Sequence, residues 1–356
     1  MVNDAHYAVV VGIDRYPFIR DLKGPCNDAR QFAAWLVDEA GGGLPQQNVT
    51  MVKATLPDEL LADPQDVVPT TREINRALGT VNREIRRRTG QDPEVFDRSR
   101  LYVFVAGHGI APTGGKAALL AADASPWEWG YNVELTSYAD WYEKNGLFRE
   151  AAFFADCCRN RVNEAPASGP PFTMAVNTEE PVDVLLAFAT SVGTWAYETA
   201  GLDDDPSLIR GYFSTALLEG LRGAAVDEAA GRVTADRLAG YIKRFVREQS
   251  RKDGRVVPQT AVVTGPLDSP MTFGPVGMIA RPVRVVRLRR PAGFGGTIQI
   301  LDHALSPVTT LDAGVYEREI RLTDGFYQAV PADPAAVRFV DEGRFPVQGG
   351  DLVVQL

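Results

Sequence analysis

Two apolar runs constrain this chain most: Leu101-Tyr102-Val103-Phe104-Val105-Ala106 and Ala151-Ala152-Phe153-Phe154-Ala155. Neither alternates with polar residues, so each reads as a strand buried on both faces, as at the centre of a parallel sheet. Each ends abruptly in reactive side chains, Gly107-His108-Gly109 after the first and Asp156-Cys157-Cys158-Arg159 after the second. A polar residue that follows a buried strand lies at its C-terminal edge, where open α/β sheets bind ligands. His108 and Cys158 are fifty residues apart in a chain with only three His and three Cys. On neighbouring strands they would face each other across a cleft, the arrangement of a thiol nucleophile and its base.

The flanking pattern supplies the rest of such a sheet. Ala8 to Val11 is a continuous apolar run, Asn48 to Ala54 reads as a second strand, and Val184 to Ala189 and Val256 to Val263 as later ones. Between them, apolar residues recur at helical spacing over Asn27 to Glu39, with Asn27 as N-cap, and over Thr70 to Thr89. Tyr138 to Lys144, Phe213 to Leu221 and Thr234 to Lys252 read as further helices, and Ala117 to Ala121 with Asn132 to Leu135 as a hairpin-like excursion. Strands alternating with helices give an α/β fold of about six mostly parallel strands with helices on both faces.

The character changes after Gly265. Prolines at 266, 270, 275 and 282 break the periodicity, so residues 266–280 read as a linker. Short strand-like runs follow at Val283 to Leu288, Thr297 to Ile300, Tyr316 to Leu322, Gly325 to Val330, Ala336 to Val340 and Leu352 to Val354. Two domains are expected, 1–265 and a small all-β sandwich over 281–356 whose role the sequence does not give.

Composition excludes several classes of function. A net charge of −9 argues against a nucleic-acid or membrane-surface binder, which needs a basic face. The basic run Arg83 to Arg88 reads as a solvated helix face. The chain has no apolar run near 18 residues and no signal-peptide pattern, and its few Cys do not form a disulfide framework. A cytoplasmic location is the expectation. No metal site is expected, since the Cys and His lack zinc-site spacings, and no G-x-G-x-x-G or Walker loop follows the first strand.

The order of several strings resembles the caspase-like cysteine peptidases, and their metacaspase and bacterial branch more than the animal caspases. Tyr7-Ala8-Val9-Val10-Val11-Gly12-Ile13-Asp14-Arg15-Tyr16 resembles the family's first strand, and Leu22-Lys23-Gly24-Pro25-Cys26-Asn27-Asp28-Ala29 its Leu-x-Gly-x-x-Asn-Asp-Ala segment. Ala106-Gly107-His108-Gly109 resembles Ser-Gly-His-Gly, and Asp156-Cys157-Cys158-Arg159 resembles Asp-Cys-Cys-His. Ser191 to Glu198, Gly211-Tyr212-Phe213-Ser214 and Pro258-Gln259-Thr260 resemble small-subunit landmarks. The resemblance covers roughly residues 5 to 265.

Thiol-based peptide hydrolysis needs a thiolate, a base that later acts as an acid, an oxyanion site and a pocket that fixes the substrate. His108 is the candidate base. Position alone leaves Cys157 and Cys158 open as nucleophile, because adjacent strand residues face opposite ways. The resemblance implies Cys158, with a backbone carbonyl orienting the His. The N–H groups of Gly109 and Cys158 are the oxyanion candidates. Asp28 and Asp156, each just beyond a proposed strand, would make an anionic pocket suited to Arg or Lys, although Asp28 also suits helix capping and Asp156 turn capping. The metacaspase resemblance places basic-specific pocket acids at these positions. Ala106 stands where metacaspases carry a pocket Ser, which favours Arg over Lys. The resemblance also places Ser191, Trp195, Tyr197 and Glu198 in the cleft wall.

These features imply an endopeptidase acting on protein or peptide substrates with a basic residue before the cut, with an activating protease or regulator as a further partner. The resemblance implies latency until a loop is cut, and a role in regulated proteolysis such as stress response or antiviral defence. Segments 160–181 and 201–210 are the candidate loops, with Arg161 and Arg210 as candidate pocket plugs. No cofactor is assigned. Calcium dependence is an open expectation from the family, with Asp123, Asp140 and Asp203 to Asp205 as oxygen donors but no EF-hand spacing. The rival expectation is a catalytically weak scaffold that binds proteins through an acidic cleft.

Overall fold

The structure, a computed structural model, describes residues 3–112, 117–162, 165–173, 182–198, 209–227, 230–254, 257–267, 271–274, 283–302, 307–323, 325–333, 344–347 and 352–356. The first half runs β1 (His6–Gly12), α1 (Pro25–Val37), β2 (Val49–Met51), α2 (Thr71–Gln91), α3 (Glu94–Asp97), β3 (Arg100–Gly107), β4 (Gly109–Ala111), β5 (Ala118–Leu120), β6 (Asn132–Glu134) and α4 (Leu135–Asn145). It continues with β7 (Glu150–Cys157), β8 (Asn160–Arg161), β9 (Asp183–Phe188), α5 (Tyr212–Glu219), β10 (Val226–Asp227), β11 (Arg232–Thr234), α6 (Ala235–Lys252), β12 (Val262–Thr264) and β13 (Thr272–Phe273). The last stretch holds β14 (Val283–Arg289), β15 (Ile298–Leu301), β16 (Pro307–Leu311), β17 (Glu317–Thr323), β18 (Gly325–Pro331), β19 (Arg344–Val347) and β20 (Leu352–Gln355).

Six strands form the central sheet in the order β12-β9-β7-β3-β1-β2. All pairings are parallel except that of β12 with β9. The expected mixed α/β sheet is therefore present. The two apolar runs are adjacent central strands, and their alternation splits the core into two layers. Val103, Val105, Phe153, Ala155 and Cys157 face α2 and α4, packing with Ile74, Leu78 and Tyr142. Tyr102, Phe104, Ala106, Ala152 and Phe154 face α1, α5 and α6, packing with Phe32, Phe213 and Phe245.

Local chemistry sets the helix ends. Thr70 and Glu73 form a reciprocal capping box at the start of α2. In α1 the expected cap is displaced. Pro25 takes the first helical turn, where its missing N–H costs nothing, and Gly24 is the N-cap. Asn27 lies inside that turn and donates from Nδ2 to the Ile209 carbonyl (3.3 Å). Val256, the expected start of the last strand of the sheet, lies outside the described residues, and among the described residues 257–264 the pairing runs over β12.

The expected hairpin is the β5–β6 pair of a small sheet, β6-β5-β4-β8, that extends from the sheet edge beside His108. Part of the stretch read as a linker is built into the α/β layers. Thr272 and Phe273 pair with β11, and Met271 and Phe273 are buried in the second core. The C-terminal strands form a three-stranded and a four-stranded sheet around a third core that includes Val286, Ile298, Ile300, Leu322 and Val347. Buried Arg290 donates there to the carbonyls of Val315 (2.7 Å), Phe294 (3.2 Å), Gly296 and Asp312. The strand expected over 336–340 lies outside the described residues.

At the opposite edge of the central sheet, Arg100 opens β3 with its guanidinium buried. It donates to Glu150 on β7 (2.6 Å), to Tyr102 Oη (2.9 Å) and to the Thr272 carbonyl (2.7 Å). The Arg100 and Glu150 side chains are 7% and 19% exposed, so removing one partner strands a charge away from water. Glu150→Ala is expected to lower unfolding stability by about 3 kcal/mol in urea titration. A loss under about 1 kcal/mol would show that Tyr102 and Thr272 suffice for Arg100.

Candidate active site

Strand register builds the site. Ala106 pairs with Gly12 on one side and Asp156 on the other, and Gly107 pairs with Cys157. His108 and Cys158 are thus the next residues on adjacent parallel strands, at the C-terminal edge, where neighbouring strands run about 4.8 Å apart. Both line one cavity of about 700 Å³, together with Asp28, Asp156, Trp195 and Tyr197.

Tyr16 and Arg20, in the segment after β1, hold His108 in place. The buried Tyr16 hydroxyl accepts from the His108 backbone N–H (3.0 Å), and the two rings meet edge to face at 4.8 Å. The Nε2 of His108 lies 2.6 Å from the Arg20 carbonyl. A carbonyl only accepts, so Nε2 carries the proton and Nδ1 of the neutral ring keeps its lone pair. Burial holds the imidazole below its usual pKa, only partly offset by the Arg20 carbonyl, which favours the neutral base.

The two thiols differ. Cys157 ends β7 in the layer facing α2 and α4, and is 2% exposed. A Cβ on Gly109 would lie 2.7 Å from its Sγ and 2.4 Å from the Cys158 carbonyl, so only glycine fits there. Cys158 lies one residue past the strand and is half-buried. Its Sγ accepts from the Ala196 N–H (3.2 Å) and faces the Ala196 carbonyl at 3.7 Å. Burial pushes both thiols up. For Cys158 the Ala196 N–H opposes this, while the Asp156 and Glu198 charges add to it.

Alternation along β7 turns Asp156 into the layer of α1 and α5. There Ser214, at the start of α5, donates to its Oδ2 from N–H (3.0 Å) and hydroxyl (2.6 Å). Asp28, in the first turn of α1, accepts from the Gly211 N–H (2.8 Å) and from Arg210 Nε. Arg210 also donates to Gln31 on the next turn of α1 (3.0 Å). Burial raises both carboxyls. Asp28 is pushed up to about 7 because the Asp156 charge adds to burial and outweighs the pull of Arg210. Gly211 is tightly enclosed, since a Cβ there would lie 1.9 Å from Asp156 Oδ2.

Of the residues expected in the cleft wall, Trp195, Tyr197 and Glu198 line the cavity, and Trp195 is largely exposed. Ser191 does not line it. Its carbonyl accepts from Thr194 Oγ1 (2.7 Å) inside the preceding turn. Neither proposed plug is on the cavity lining: Arg210 pairs with Asp28 from behind it, and Arg161 lies on β8. The Asp203 to Asp205 run lies outside the described residues. Among the described residues, no group of three or more His, Cys, Asp or Glu is placed to hold a metal ion, and no helix is long and apolar enough to cross a membrane.

Three positioning groups carried no assigned role in the sequence. The Arg20 carbonyl gave no signal, because every residue has one. Ser214 and Gln259 lie within family-like segments but are not reactive residue types. Gln259 staples the cleft wall, accepting from the Tyr197 N–H (2.9 Å) and donating to the Ala189 carbonyl (2.8 Å).

Among solved structures, the chain is similar to the crystal structure of caspase-1 from Spodoptera frugiperda, at 14% identity and a TM-score of 0.40, covering 73% of this chain and 88% of that one. It is also similar to a protein from Geobacter sulfurreducens, at 12% identity and a TM-score of 0.41, covering 73% and 92%. None of the curated proteins matches the chain. The family model described as the caspase domain matches residues 5–262, a span that holds the whole cavity lining and both thiols. The chain belongs to the caspase domain family of peptidases.

Proposed function

We propose that the chain is a cysteine endopeptidase that cleaves proteins after Arg, and less well after Lys, with Cys158 and His108 as its dyad and residues 1–265 as its peptidase part. One observation carries the proposal: His108, Cys158, Asp28 and Asp156 line the same cavity. The exposure of Cys158 over Cys157, and the His108 tautomer set by the Arg20 carbonyl, support the choice of dyad.

In this mechanism Cys158 gives its proton to His108 Nδ1 as Sγ attacks the scissile carbonyl carbon. The oxyanion is held by the N–H groups of Gly109 and Cys158. As the tetrahedral intermediate collapses, the C–N bond breaks and His108 returns the proton to the leaving amine. Water then attacks the thioester, losing a proton to His108, and Cys158 is released. The carboxylates in the same cavity favour a cationic side chain before the cut.

Control belongs to the same proposal: the chain is latent, is activated by a cut in segment 160–181 or 201–210, and serves regulated proteolysis in bacterial stress or defence, by analogy with the family. We place it in a reducing cytoplasm, where its three free cysteines stay thiols. A fluorogenic peptide panel with Arg, Lys or Asp before the cut, run with and without calcium and before and after autolysis, tests specificity. Arg is expected to exceed Lys, with no cleavage after Asp. A preference for Asp would overturn the assignment.

Two further outcomes follow. Cys158→Ala and His108→Ala are expected to lose peptide cleavage while remaining folded, whereas Cys157→Ala keeps most of it. The reverse pattern for the two thiols would assign the nucleophile to Cys157. In the uncut chain burial holds the Cys158 thiol up, so its thiolate is scarce at pH 7 and grows as pH rises. Iodoacetamide labelling of Cys158, followed by peptide mass mapping, is expected to have a midpoint above about 8.5, the value of a free cysteine. A midpoint below about 7 would show that His108 already ionises the thiol in the resting chain.

A further inference from the structure

A cation entering the cavity meets three carboxylates, Asp28, Asp156 and Glu198, in different states. Asp28 is engaged at both oxygens, Oδ1 by Arg210 and Oδ2 by the Gly211 N–H. Asp156 is buried, and its Oδ2 takes both the N–H and the hydroxyl of Ser214. Glu198 is half-buried in the wall, anchored through Oε1 by the Gly24 N–H (3.1 Å). The Glu198 backbone bridges to Gly211 at the start of α5 while its carboxylate is held at the start of α1, within the field of Asp156. The seat is shaped for it, because a Cβ on Gly24 would lie 2.9 Å from Oε1 and 3.2 Å from Cδ.

We propose that Glu198 is the specificity-determining carboxylate that meets the cationic side chain of the substrate, while Asp28 is committed to Arg210 and braces the pocket. The proposal rests on the Arg-directed peptidase reading and names the atom group that does the recognising. Burial holds the Glu198 carboxyl above its usual value, with the Asp156 and Asp14 charges adding to it and the Gly24 N–H and Arg20 opposing. A guanidinium that forms two parallel hydrogen bonds to Glu198 relieves that crowding of negative charge. Exposed Arg20, also on the cavity lining, is a cation that the substrate has to displace or avoid.

The test compares the full-length wild type with Glu198→Gln, each assayed before and after activating cleavage, on peptides that differ only in Arg or citrulline before the cut. Benzamidine serves as a competing cation, and thermal unfolding as the control for folding. Glu198→Gln is expected to raise KM for the Arg peptide and Ki for benzamidine roughly 10- to 100-fold, the range for losing a charge-assisted hydrogen bond. The kcat for the Arg peptide, the citrulline rate and the unfolding midpoint are expected to hold. Gly24→Ala keeps every charge and pushes the carboxylate from its seat, so it is expected to raise the Arg KM in the same direction by a smaller factor. Values within twofold of wild type for both variants, with Arg cleavage intact, would overturn the Glu198 assignment alone. A wild type that cleaves neither peptide and ignores benzamidine, although a peptidyl electrophile ending in another residue still labels Cys158, would overturn the Arg reading and the assignment with it.

Discussion

The site depends on the register of three parallel strands. Gly12, Ala106 and Asp156 stand level, and Gly107 pairs with Cys157 at the next step. A one-residue slip would turn every side chain of a strand to the other face. Asp156 would then enter the apolar layer of α2 and α4, and Cys157 would replace it beside Asp28. Full burial of the central residues on both faces makes that slip costly, so the same apolar residues that build the core place the reactive ones.

The cleft concentrates negative charge that water cannot screen. Asp28 and Asp156 are buried, and burial raises both carboxyls. The chain offsets this with local donors: Ser214 for Asp156, and Gly211 with Arg210 for Asp28. All three donors lie at the start of α5, so the placement of that helix and the electrostatics of the pocket are one problem. His108 is handled differently. A backbone carbonyl and a buried tyrosine hydroxyl hold its ring and its backbone, and burial favours the neutral ring over the imidazolium.

Much of this was legible in the sequence because apolar runs are strong signals. The strands that carry His108 and Cys158, the long amphipathic α2, and the α/β class all follow from residue order. The cap of α1 was misplaced because Asn27 is a good capping residue, but Pro25 two positions earlier settles the helix start. The edge strand β16 was missed because Pro307, Thr309 and Thr310 mask its pattern, and β19 carries Pro346. Within the site, reactive side chains at strand ends are legible from residue type, whereas the Arg20 and Ala196 backbone groups are not. The sequence offers Arg210 as a pocket plug, but its partners Asp28 and Gln31 on α1 are set only by folding.

The central claim is that one thiol, Cys158, serves a pocket built for a basic side chain. Peptidyl chloromethyl ketones ending in Arg or in Asp, followed by intact-mass and peptide mapping, test it most directly. The account predicts a single adduct on Cys158 from the Arg reagent, lost in His108→Ala and blocked by benzamidine, with little from the Asp reagent. Labelling on Cys157 or Cys26, or faster labelling by the Asp reagent, would contradict it.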